Sequence, residues 1–246
     1  MTLPIRPSIS PPAHVIHRYL AARELHDSRV ARHVFAPGTR ARAVTYDGAV
    51  EDLFQRDAWA MIDVSTSVPT YQRQRTLDQT KRLALIETYG EWPTHRMTEL
   101  LLAVQTRASW QIVARAFARS RPAEPGFERD PIGEAQIREC LLAATDVTPA
   151  PREHTHLADC RYAFAGAGEP AFRHVTDSGW NAGRLGVISK NRMPVQIDIS
   201  MRGSVAAAKI VRSDRSVRIV NHVLLLDTEC TWKIADVSCS HPATGT

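Results

Sequence analysis

The chain has 246 residues, 43% of them hydrophobic and 23% charged, with a formal net charge of +5. That is the composition of a soluble globular protein, and no stretch reaches the roughly 18 consecutive apolar residues that a membrane-spanning helix needs. The positive charge sits in the first half: residues 1–121 carry 17 Lys and Arg against 11 Asp and Glu, and the remainder carries 14 against 15. These basic residues are scattered singly, without aromatic interleaving, which reads as a solvated arginine-rich surface rather than a nucleic-acid interface; an anionic small ligand would use the same field.

The opening "MTLPIRPSISPP" lacks the apolar run of a signal peptide and reads as a flexible Pro-rich leader of a cytoplasmic protein. Residues 13–26 then place Val15, Ile16, Tyr19, Leu20 and Ala22 on one face at helical spacing. A second short helix follows, expected to break at Pro37 and Gly38 before the chain turns extended from Arg40 to Val44. Asp57 caps a further short helix that carries Trp59, Met61 and Ile62. Strands are predicted over 72–77, 82–89, 95–104 and 110–117, and their tight connections imply an antiparallel meander. The Pro-, Gly- and charge-rich run from Ala118 to Pro131 reads as a linker.

The second half restarts with a helix over "IGEAQIRECLLAATDV", passes through an expected irregular stretch containing "THLADCRYAFAGAGEP", and reaches a short helix holding Trp180. Strands are predicted over 195–201, 204–212, 216–226 and 232–239. Helices come first and strands last in both halves, which argues for α+β rather than a doubly wound sheet. The residues agree as well as the order: at an offset of 122, Arg96 meets Arg218, Leu102 meets Leu224, Thr106 meets Thr228, Trp110 meets Trp232 and Ile112 meets Ile234, and Trp59 falls near Trp180 at 121. This is an internal repeat.

An opening helix, a short second helix, "FAPGTRA", another short helix and a meander closing in "W-x-I" resemble the nuclear-transport-factor-2-like (NTF2-like) superfamily. Within it, "MTELLLAVQTRASWQIVARAF" and "IVNHVLLLDTECTWKIADVSC" look most like the lumazine-binding-like family, beside the SnoaL-like cyclases and the ketosteroid isomerases. The resemblance implies two tandem cone domains over residues 12–118 and 131–240 with a linker at 119–130, each with N-terminal helices packed on a curved antiparallel sheet. It implies an apolar pocket in each cone for a small hydrophobic molecule. It also implies that such domains pair through their sheets, so the two copies would form an intramolecular pseudo-dimer, and whole chains could pair as a homodimer.

Two uses of such a pocket follow from the resemblance: ligand binding without catalysis, or a cofactor-independent SnoaL-like enzyme (isomerase, cyclase, dehydratase or hydrolase) working by proton transfer. The catalytic candidates are Tyr19, which matches the hydrogen-bond-donating tyrosine of the ketosteroid isomerases, with Asp63 and Glu99 as acids or bases. That family's spacing puts its base at about Ala43, which cannot take a proton. Glu99 is either a base raised by burial or the partner of an arginine such as Arg96 or Arg115. The candidate ligand contacts are Trp59 and Trp180, together with Asp198 and His222, which either form an acid/base pair in the second pocket or face water or the other domain. No metal is expected: Cys140, Cys160, Cys230 and Cys239 lack paired spacing, and His154, His156 and Asp159 lack the fixed geometry of a helical pair.

Overall fold

The computed structural model describes residues 11–44, 49–53, 67–106, 109–121, 130–145, 152–165, 173–175, 195–213, 218–228 and 231–240. Helix α1 spans Pro12–Glu24, opening with a proline in its first turn, where the missing N–H costs nothing. Its apolar stripe buries Val15, Ile16, Tyr19, Leu20 and Ala22. The helix ends as His26 turns to φ 52, and Asp27 donates its backbone N–H back to the Ala22 carbonyl at 2.9 Å. The Asp27 side chain then caps α2 (Ser28–Val34), accepting from the backbone N–H groups of Arg29 and Val30.

The first sheet is built from β1 (Phe35–Val44), β2 (Val50–Leu53), β3 (Tyr71–Gln79), β4 (Leu83–Glu91), β5 (Arg96–Gln105) and β6 (Trp110–Ser120), in the order β2-β1-β6-β5-β4-β3. The expected meander is present as β3 to β6. Pro37 and Gly38 do not break a helix, because α2 ends at Val34; they lie inside β1, where Gly38 takes φ 75 and the register against β6 shifts between Phe35 and Arg40. β1 pairs with β6 in parallel, a connection made possible by the long excursion through the meander.

The second half repeats this plan. Helices α3 (Pro131–Thr145) and α4 (Arg152–Thr155) precede β7 (His156–Ala165), β8 (Arg173–Val175), β9 (Val195–Arg202), β10 (Val205–Ser213), β11 (Arg218–Thr228) and β12 (Thr231–Ser240). The sheet order is β8-β7-β12-β11-β10-β9, and β7 pairs with β12 in parallel with a register shift at the same place. "THLADCRYAFA" is therefore mostly strand, not irregular. Its alternation of buried Cys160 and Tyr162 with half-buried Arg161 is the pattern of a strand with two different faces.

Each sheet buries two faces. One face of the first sheet packs on α1 and α2 through Ile86, Leu101, Ala103 and Ile112. One face of the second packs on α3, where Ile137 and Leu141 meet Ala206, Ala208, Ile210 and Leu225. The opposite faces meet each other: Leu83, Leu85, Leu100, Leu102 and Val104 share one apolar cluster with Val205, Ala207, Leu224, Leu226 and Ala235. Polar bonds frame this seam. Arg42, fully buried, donates to the Ala235 and Asp159 carbonyl oxygens and pairs with the Asp159 and Asp236 carboxylates at 2.9 and 3.3 Å. Arg202 meets Glu87 at 2.7 Å. Among the described residues no helix is long and apolar enough to cross a membrane.

Candidate functional site

Tyr19 and Arg23 lie one helical turn apart on α1 and point the same way. Glu99 on β5 sits opposite Thr88 on β4 and Phe117 on β6, so these side chains share the sheet face that α1 covers. The result is a cluster centred on a carboxylate that is 1% exposed. Tyr19 donates its hydroxyl to Glu99 Oε1 at 2.8 Å and Thr88 donates to Oε2 at 2.7 Å. Arg115 reaches Oε1 through Nε at 2.6 Å and Nη2 at 2.5 Å, and Arg23 closes on Oε2 through Nη1.

The electrostatics follow from that geometry. Burial acts to raise the Glu99 pKa, but Arg115, Arg23 and the bonds from Thr88 and Tyr19 overcome it and hold the carboxyl at about 2. Burial, helped by Glu99 and opposed by Arg115, pushes the Tyr19 hydroxyl up to about 12. Glu99 is thus a fixed anion and Tyr19 a fixed donor. The arginine partner anticipated for Glu99 is Arg115, joined by Arg23, while Arg96 turns to Glu91 at 3.8 Å.

Aromatic rings line the cationic side of the cluster. The Arg23 guanidinium lies 5.5 Å from the Tyr19 ring centre and 5.0 Å from that of Trp92, and Arg115 lies 4.4 Å from Phe117. His95 stacks on Trp92 at 4.8 Å, and burial with nearby Arg119 and Arg23 lowers its pKa. The indole folds back over Gly90, where a Cβ would stand 2.5 Å from the ring, so a glycine is required there. Ala41, Ala43, Trp92, Met97 and Phe117 form their own apolar cluster. The position at which the isomerase resemblance puts a base is therefore an alanine set among apolar side chains.

Asp63, Trp59 and Trp180 lie outside the described residues. Asp198 and His222 both sit beside Lys209 in the strand register, but on the face that meets the first sheet rather than on the helix-covered face. His222 is fully buried and bonds Asp78 of β3 at 2.8 Å, while Asp198 is exposed and takes long bonds from Gln196. No acid/base pair forms between them; of the two placements the sequence left open, facing water and the other half is the one adopted. Lys209 joins the same carboxylate at 2.6 Å, and the bonds from His222 and Lys209 hold Asp78 at about 2 against its partial burial. Asp159 is taken up by Arg40 and Arg42 rather than by His154 or His156.

The second half keeps the register but not the cluster. Asn221 occupies the position of Glu99, opposite Ile210 and Cys239 where Thr88 and Phe117 stand in the first half. Counting from the buried pairs Ile16/Ile137 and Leu20/Leu141, Cys140 falls at the position of Tyr19, and burial pushes its thiol to about 11. Arg23, Thr88, Trp92 and Asp78 were not anticipated from sequence; for Arg23 the signal was available, as a charge one turn from Tyr19 on an apolar stripe.

Residues 12–118 match the model of the family described as "Putative lumazine-binding". The resemblance to the NTF2-like superfamily holds. Solved structures similar to this chain include an NTF2-like protein of unknown function from Shewanella baltica OS155 (14% identity, 44% of this chain and 90% of that one, TM-score 0.40). Another, from Methylobacillus flagellatus KT, shares 17% identity over 44% and 88% at TM-score 0.38. A ketosteroid isomerase-like protein from Erwinia carotovora atroseptica SCRI1043 shares 12% over 45% and 94% at TM-score 0.35. No curated protein matches the chain.

Proposed function

We propose that the chain carries two copies of one NTF2-like cone, and that the first is a pocket protein that binds a small hydrophobic molecule without transforming it. One observation supports binding over proton transfer. Four donors saturate Glu99 and hold its pKa at about 2, which leaves it a poor base near neutral pH. Tyr19, the residue that the isomerase resemblance would aim at a developing enolate, spends its proton on Glu99. Ala43 adds no acid. In this reading Tyr19, Arg23, Glu99 and Arg115 are a rigid polar floor that fixes ligand orientation, and Trp92 and Phe117 are the apolar walls.

The test is native mass spectrometry of the purified chain after incubation with cell extract. A co-purifying compound that is released unchanged, and is lost in Trp92→Ala, supports binding. A bound compound that the protein converts on prolonged incubation, with the conversion lost in Tyr19→Phe, overturns the binding reading in favour of a cofactor-independent enzyme.

A further inference from the structure

We infer that the ligand of the first cone is an acid: a planar, largely apolar molecule with one carboxylate or comparable anionic group, bound one per chain. This rests on the pocket reading above and specifies its chemistry. The argument begins with charge. Arg23 and Arg115 have side chains only 11% exposed, and the carboxylate they contact among the described residues is Glu99 alone. Glu99 is ionised and saturated, so the cluster keeps one positive charge that no other carboxylate among the described residues neutralises. A buried unbalanced charge is costly, and an anion brought by a ligand would relieve that cost.

The donors for such an anion are in place. Glu99 engages Nη1 of Arg23 and Nε and Nη2 of Arg115, whereas each guanidinium carries five N–H groups. His95 adds no competing negative charge; burial first, and then nearby Arg119 and Arg23, lower its pKa. The rings beside the guanidiniums set the character of the rest of the ligand: Tyr19, Trp92 and Phe117 pack on the two guanidiniums and surround the charge with aromatic side chains, the setting in which the body of a planar acid would pack.

The one-per-chain stoichiometry comes from the second half. There the register places Asn221, Ile210 and Val237 where the first cone has Glu99, Thr88 and Arg115, so among the described residues that cone lacks the charge cluster.

The experiment compares benzoate, its neutral isostere benzamide, and acetate on the unaltered chain by calorimetry and thermal shift. Benzoate is expected to bind with one site per chain and raise the melting temperature, with benzamide and acetate each about tenfold weaker or more. Arg115→Met is expected to abolish the preference of benzoate over benzamide. Glu99→Gln, which adds a unit of positive charge, is expected to tighten benzoate by about tenfold; if that variant does not fold, the comparison on the unaltered chain still decides. Equal binding of benzamide and benzoate overturns the acid inference while the pocket survives. Acetate matching benzoate overturns the planar part. No binding by any of the three, with no compound found by native mass spectrometry, removes the pocket and the inference together.

Discussion

Glu99 gathers Tyr19, Arg23, Thr88 and Arg115 around one carboxylate, and two measurable consequences attach to it. Its folded pKa of about 2 lies below the ordinary 4.5, so the stability it contributes is fully present above about pH 4.5 and is lost as pH falls through about 2. Acid titration of unfolding should therefore show a steep loss of stability below pH 4 that is reduced in Glu99→Gln. Glu99→Ala leaves Arg23 and Arg115 buried and unpaired, and should cost about 3–5 kcal/mol in denaturant melts. A loss under about 1 kcal/mol would mean that the cluster is wetter than its 1% exposure implies.

At the scale of elements, β3 carries the clearest prediction. This edge strand is mostly exposed, yet its Asp78 reaches across to Lys209 on β10 and His222 on β11. Asp78→Asn removes the charge from that contact and should destabilise the chain by about 1–2 kcal/mol, most of it recovered by pairing the change with Lys209→Met and His222→Phe; simple additivity of the three would show that they are not coupled. Much of this architecture was legible from sequence. The helix of residues 13–26, the meander and the doubled order stood out because apolar spacing at 3.6 or 2 is dictated by which side chains are buried. β7 did not, because it alternates thiol, ring and arginine instead of aliphatics, and its parallel partner lies about 75 residues away in the chain. The site was half legible for a similar reason: Tyr19 and Glu99 stand out as candidates of one pocket, with Arg115 as a possible partner, but their direct contact spans 80 residues, and no local pattern shows that a strand carboxylate will meet a helix tyrosine and two arginines.

For the whole molecule, the seam between the two sheets is both greasy and titratable. Asp236 is buried against Arg42, and burial, outweighing the pull of Arg42 and Arg161, lifts its pKa to about 7 from 3.8. A raised carboxyl binds its extra proton in the folded state, so its contribution is fully present below about pH 4 and is lost as pH rises through about 7. Between about pH 4 and 7 the chain should lose stability, and Asp236→Asn should flatten that dependence; an unchanged profile would show that Asp236 is not the titrating group. Separately, a fragment of residues 1–121 bares Leu83, Leu85, Leu100, Leu102 and Val104 and should self-associate in sedimentation experiments, whereas the full chain should not do so through that face.

Because both faces of the seam belong to one polypeptide, their meeting does not depend on encounter between molecules. Dilution to nanomolar levels, which would dissociate many pairs of separate subunits, leaves the local concentration of one sheet about the other unchanged. The asymmetry between the two halves is therefore inherited by every molecule, with no scrambling of unlike sheets.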